Sequence, residues 1–237
     1  LSEACLYGQL VDLLDQGALQ EGLTYERVYD LVRDTMNTAH LEGQLKAEII
    51  ADPERFVVLD EELPRALLDL RQAGKRLFVA TNSEWHYTQP MMSYILDRYL
   101  PGSSWRDLFE LVIVQAKKPA FFDGSAGFDE VIDDAGTLRP CTGALHKGRV
   151  YLGGTAQAVQ DYFAAAGEEI LYVGDHVYAD VHVSSRIKRW RTALVLRELE
   201  VEVEQEQAFA REQQQLIAGM RQKERIEREQ SMLRLAL

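Results

Sequence analysis

Two aspartates, a lysine and a hydroxyl-bearing turn are the residues of this chain whose types and spacing suit work on a phosphate. Asp175 and Asp180 lie in Gly174-Asp175-His176-Val177-Tyr178-Ala179-Asp180, directly after the apolar run Ile170-Leu171-Tyr172-Val173. Carboxylates beside a glycine at the end of a buried strand are what a hard cation such as magnesium takes next to a phosphate. The competing reading is an Asp175 that only caps the helix after it. Thr81-Asn82-Ser83 follows Arg76-Leu77-Phe78-Val79-Ala80 and offers a hydroxyl and backbone amides where a helix should begin. That suits phosphoryl oxygens, and it equally suits a plain N-cap. Lys118, between Lys117 and Pro119 after Leu111-Val112-Ile113-Val114, carries a charge that neutralises a phosphoryl oxygen or is simply solvated. What favours the ligand readings is the order of the three: strand-Thr-Asn, strand-Lys, strand-Gly-Asp-x-x-x-x-Asp.

The elements that must position these groups are legible in the same pattern. The apolar runs ending at Ala80, Val114 and Val173, with a fourth at Ala193-Leu194-Val195-Leu196, alternate with helical stretches. Such alternation implies a parallel sheet with helices on its faces, and its ligands sit beyond the carboxyl ends of the strands. Thr81, Lys118 and Asp175 are therefore expected on one sheet, at one end of it. Residues 1–50 read as helices, with Leu6, Leu10, Leu13 and Leu14 on one stripe and Val28, Leu31, Val32, Met36 and Ala39 on another. A strand-like run, Phe56-Val57-Val58-Leu59, precedes a helix from Leu63 to Ala73 that Gly74 stops. Between Phe128 and Gly154 a β-hairpin excursion is expected around the turn Asp133-Asp134-Ala135-Gly136-Thr137. From Glu198 the chain is rich in Glu, Gln and Arg and reads as a long exposed helix.

Composition narrows the partners. With 46% hydrophobic and 27% charged residues over 237 positions the chain is of ordinary globular type. Its net charge of -12 repels phosphate backbones and anionic lipid, so neither nucleic acid nor a membrane surface is expected as a partner. Cys5 and Cys141 match no metal-ligand or redox spacing, and a reducing, cytoplasmic setting is expected. Self-association is left open.

The motif order resembles motifs two, three and four of the haloacid dehalogenase-like phosphohydrolases, and within them the cytosolic purine 5'-nucleotidase family. The resemblance rests on Val79-Ala80-Thr81-Asn82-Ser83, Ala116-Lys117-Lys118-Pro119-Ala120-Phe121-Phe122, Tyr151-Leu152-Gly153-Gly154 and the block from Ile170 through Trp190-Arg191-Thr192 to Leu199. It implies an α/β fold: a three-layer Rossmannoid parallel sheet with a helical cap segment and a helical C-terminal tail. The expected organisation is the end of the cap at 1–54, the core at 55–200 with its excursion near 128–154, and the tail at 201–237. It further implies Mg-dependent hydrolysis of nucleoside 5'-monophosphates, purine favoured, through an aspartyl-phosphate. Carried over by motif, Thr81 and Asn82 bind phosphoryl oxygens beside Ser83, Lys118 balances charge, Asp175 holds Mg2+ and Asp180 supports it. In the cap, Arg33, Asn37, His40 and Lys46 resemble the family's substrate-binding segment, whose own pattern has an acidic residue where Asn37 stands.

One departure is large. The family's first motif, Asp-x-Asp at the end of its first strand, supplies the nucleophile, and this sequence contains no Asp-x-Asp. The expectation is that the chain, which begins at Leu1 rather than a methionine, is the downstream part of a longer protein. Alone, it is expected to turn over no substrate and to fold marginally. The alternative is a non-catalytic homologue that binds a nucleotide or a protein. A dinucleotide-binding enzyme is disfavoured because no Gly-x-Gly-x-x-Gly follows a strand.

Overall fold

The computed structural model describes residues 2–20, 22–41, 43–177, 180, 183–196 and 198–235. The chain divides into two compact units, Leu1–Ala165 and Ala166–Leu237.

The first unit opens with helices α1 (Ser2–Asp15), α2 (Tyr25–Leu41), α3 (Gln44–Ala51), the single turn α4 (Pro53–Phe56) and α5 (Glu62–Gln72). Val28 and Val32, one helical turn apart, are the buried pair of α2. Tyr7 of α1 meets Tyr29 of α2 edge-on at 5.6 Å, and the Tyr25 hydroxyl donates to Asp15 at 2.7 Å. These contacts make the two helices a hairpin. The run at 56–59 forms no strand: Phe56 ends α4 and Val58 is 72% exposed. Its β propensity goes unused because no strand of the described residues pairs with it.

After α5 the chain alternates β1 (Phe78–Ala80), α6 (Trp85–Leu96), β2 (Leu111–Val114) and α7 (Ala120–Asp123). It then runs through the hairpin strands β3 (Phe128–Val131) and β4 (Leu138–Cys141) to β5 (Arg149–Gly153) and α8 (Ala156–Phe163). The sheet order is β1-β2-β5-β3-β4, with β1, β2 and β5 parallel and the hairpin joined antiparallel to β5. All four residues of β2 are buried, as a central strand covered on both faces requires. Trp85, Leu96, Leu100, Trp105 and Leu108 pack with Val112, Val114 and Val150 into the core. At the other end of the strands Arg76 donates twice to Glu110, at 2.7 and 3.0 Å, and lies 4.5 Å over the Phe163 ring. That contact ties the end of α8 to the start of β2.

The hairpin turn is built as its sequence indicates: Gly136 donates to the Asp133 carbonyl, and the Thr137 N–H to the Asp133 carboxylate at 2.9 Å. Two glycines end β5. Gly154 has φ +79°, and a Cβ there would stand 1.9 Å from the Phe128 ring. Gly154→Ala is therefore expected to destabilise the protein by about 2–3 kcal/mol, combining backbone strain with overpacking, as a lowered midpoint in chemical denaturation would register.

The second unit contains β6 (Leu171–Gly174), α9 (Val183–Lys188), β7 (Arg191–Leu194) and the long α10 (Glu198–Leu235). β6 and β7 pair in parallel as a sheet of their own. The single sheet expected from the sequence is thus divided in two, with β1 an edge strand of one part and β6 of the other. β7 also starts at Arg191, two residues before the expected apolar run, because Leu171 to Gly174 register against Arg191 to Leu194. Trp190 just before it is buried and packs on Tyr172 at 5.8 Å, a structural role. The mixed α/β architecture with a mostly parallel sheet and a helical tail is the expected class. Among the described residues no helix is long and apolar enough to cross a membrane.

Candidate functional site

β1 and β2 end side by side because they pair in parallel with Ala80 opposite Ile113, so the loops that follow them emerge together. They are joined at four points. The Ala116 N–H donates to the Thr81 carbonyl and the Gln115 N–H to the Ser83 carbonyl, both at 2.9 Å. The Lys118 N–H donates to Asn82 Oδ1 at 2.7 Å, and Asn82 Nδ2 donates back to the Lys118 carbonyl at 3.2 Å. Within the first loop the Ser83 N–H donates to Thr81 Oγ1 at 3.1 Å. Gln115 and Lys117 have positive φ, at 45° and 58°, which folds the second loop back far enough to reach the first.

The structure therefore brings Thr81, Asn82, Ser83 and Lys118 into one constellation. Asn82 bonds the Lys118 main chain through both halves of its amide and so helps to fix that backbone. Asn82→Ala removes both bonds and is expected to cost about 1–3 kcal/mol. Asn82→Asp keeps the acceptor for the Lys118 N–H but sets a carboxylate oxygen against the Lys118 carbonyl, so it too is expected to lower stability, as urea denaturation of the two variants checks.

Lys46 of α3 reaches this region. Its ammonium pairs with Glu84 at 2.5 Å and lies 5.5 Å over the Tyr87 ring, with the lysine side chain only 22% exposed. Glu84 is the residue directly after Ser83, at the N-cap of α6. Burial pushes the Glu84 carboxyl up, but the hydrogen bond and charge of Lys46 outweigh it and hold the group below the usual glutamate range. Glu84 and Tyr87 thus anchor α3 next to the Thr81 loop. Glu84 was not among the residues singled out from sequence, and a Ser-x-helix boundary carrying an acid was the one signal for it.

Arg33 pairs with Asp30 at 3.1 Å and Asp34 at 3.5 Å on an open face of α2. Asn37 and His40 fall on α2, but their side chains lie outside the described residues. A cavity of about 370 Å³ beside Trp85, Arg106, Asp133 and Arg149 includes none of the candidate residues. Its arginines are engaged, Arg106 by Asp134 and Arg149 by Glu130, each at 3.4 Å.

In the second unit Asp175 follows β6 and is exposed, whereas Asp180 is buried. Asp180 Oδ2 accepts from the His176 N–H at 3.2 Å, Oδ1 accepts from the Tyr172 hydroxyl at 3.5 Å, and the Asp180 carbonyl accepts from the Ser184 hydroxyl. Asp180 therefore shapes the loop that presents Asp175. Gly174 is required between them, since a Cβ there would stand 2.6 Å from the Asp180 carboxylate. One outward carboxylate fits magnesium, which takes one or two protein carboxylates and fills its other positions with phosphate oxygen and water. Among the described residues no group of three His, Cys, Asp or Glu could hold a metal ion. Asp175 by itself is not a complete cage.

Two further aspartates of the first unit are engaged locally. Asp60 accepts the Glu62 N–H at 2.8 Å at the start of α5, and Asp15 accepts the Tyr25 hydroxyl.

Comparison with known proteins gives two findings. The model of the 5' nucleotidase family matches residues 1–237. A 5'-nucleotidase domain-containing protein of Dictyostelium discoideum is 30% identical over 208 residues, which is 86% of this chain. The chain spans 34% of that relative's length.

Proposed function

The chain belongs to the 5' nucleotidase family, and from that premise we propose that it carries the phosphate-binding and metal-holding parts of a hydrolase of nucleoside 5'-monophosphates, purine favoured. The observation that carries the reading is the four-bond clamp between the Thr81 and Lys118 loops. It holds the Lys118 main chain beside the Thr81 loop at the carboxyl ends of two parallel strands, where such sheets take ligands.

In this proposal the Thr81 and Ser83 hydroxyls and the Asn82 N–H, which the clamp does not use, receive phosphoryl oxygens. Lys118 neutralises charge that grows on them, and Asn82 keeps Lys118 in place. Lys46, anchored by Glu84 and Tyr87, faces the substrate from the cap segment together with Arg33, Asn37 and His40. Asp175 would hold Mg2+, with Asp180 fixing its loop. When bound, the cation supplies further neutralisation of the phosphoryl oxygens. Because the sequence has no Asp-x-Asp, the aspartate that accepts the phosphoryl group is supplied from outside these 237 residues. The same absence favours a second reading, a homologue that binds a nucleotide or protein without turning it over.

The test is phosphate release from purine and pyrimidine nucleoside 5'-monophosphates by the longer protein that contains this chain. Magnesium-dependent release, lost on chelation and cut at least a hundredfold by Asp175→Asn, is expected. A protein that bears an Asp-x-Asp strand yet releases no phosphate from any nucleotide would leave the binding reading in its place.

A further inference from the structure

Helix α6 begins with a residue that does not cap it. Ser, Thr, Asp and Asn are preferred at an N-cap because their short side chains reach the free N–H groups of the first turn, but Glu84 stands there and its side chain makes no such bond. The carboxylate is turned instead to α3, where Glu84 Oε2 meets Lys46 Nζ at 2.5 Å. The Tyr87 ring, 5.5 Å from the same ammonium, belongs to the same turn, and the Tyr87 N–H donates to the Glu84 carbonyl at 3.2 Å. Both groups that hold Lys46 are thus fixed to the start of α6.

That start is also where the Thr81 loop ends, since Glu84 follows Ser83 directly. Consecutive Cα atoms are about 3.8 Å apart, so the Glu84 carboxylate lies within about one screening length, roughly 10 Å at 0.1 M salt, of a phosphate bound at Ser83. Burial acts to raise the Glu84 carboxyl, yet the hydrogen bond and charge of Lys46 hold it below the ordinary glutamate range, so it is ionised at neutral pH. Its side chain is 43% exposed, enough water to keep the charge if the lysine is lost. A bare carboxylate there repels a phosphate dianion. With Lys46 in contact, the two side chains present no net charge to it.

We infer that Glu84 is a positioning residue that acts through Lys46: it seats the lysine at the edge of the Thr81–Ser83 loop, and the lysine in turn masks a carboxylate that would otherwise repel the substrate phosphate. The inference rests on the phosphate-binding reading of that loop. It makes the pair unequal. A pair that served only to join α3 to α6 would lose the same bond with either partner. Here loss of the lysine uncovers a repelling charge, whereas loss of the carboxylate leaves a cation beside the phosphate.

Steady-state hydrolysis of a purine nucleoside 5'-monophosphate by the longer protein that contains this chain tests the inequality with three variants. Lys46→Met is expected to raise KM about tenfold, the effect of one carboxylate near a dianion at an effective dielectric constant between those of a protein surface and water, and to change kcat less than about threefold. Glu84→Gln should raise KM less than about threefold, and the double variant should recover at least about threefold of the Lys46→Met loss. Salt gives a second readout: the gap in KM between Lys46→Met and the double variant, which differ by one carboxylate, should narrow as salt rises from about 50 mM to about 500 mM. Three variants with equal KM, a double variant no better than Lys46→Met, or a gap indifferent to salt would each overturn the masking while leaving the phosphate reading in place. An unmodified protein that releases no phosphate would overturn both.

Discussion

Lys118→Met in the complete protein is expected to lower kcat for nucleoside monophosphate hydrolysis by about a hundred- to a thousandfold, the loss of about 2.7–4 kcal/mol of transition-state stabilisation. The substitution keeps the stem and removes the ammonium. The backbone of residue 118 is held by the Asn82 amide through its own N–H and carbonyl, at 2.7 and 3.2 Å, so these two bonds are kept when the side chain changes. The thermal midpoint should accordingly fall less than it does for Asn82→Ala, which removes both of them. Asn82→Ala gives the converse result, in which stability falls along with activity because the loop loses its clamp. A Lys118→Met protein that keeps more than a tenth of normal kcat would remove Lys118 from the chemistry.

The parts of the fold that the sequence made legible are those governed by local rules. Leu111–Val114 reads as a buried strand because four consecutive apolar residues have no polar face to offer, and it is the central, fully buried strand. Asp133–Thr137 reads as a turn because Asp accepts backbone N–H groups and glycine takes positive φ, and both occur. The convergence of Thr81 with Lys118 was legible too, since parallel pairing of their strands brings the two loops together.

What stayed hidden depends on partners distant in the sequence. Phe56–Leu59 has strand composition, but a strand needs a neighbour and none of the described strands pairs with it. Asn82 reads from its motif as a phosphate ligand; that its amide also bonds the main chain of a residue 36 positions away is a fact of tertiary structure. Lys46 likewise meets Glu84 from 38 positions away, a pair no local pattern announces. Asp175 and Asp180 look alike in sequence, and burial separates them into one that faces outward and one that holds the loop.

In the proposed division of labour this chain positions phosphate and metal, and the group that attacks the phosphorus comes from outside these 237 residues. Covalent catalysis replaces one hard displacement with two easier ones, and without the nucleophile neither step begins, however well the phosphate is bound. The effect is therefore expected to be all or none. The most direct measurement is phosphate release from a purine nucleoside 5'-monophosphate with magnesium, run side by side on the 237-residue chain and on the same chain extended by the segment that bears the Asp-x-Asp strand. The account predicts no release above background from the 237 residues and measurable turnover from the extended protein. Turnover by the 237-residue chain that disappears with Asp175→Ala would contradict it, because a nucleophile would then have to lie among residues that show none.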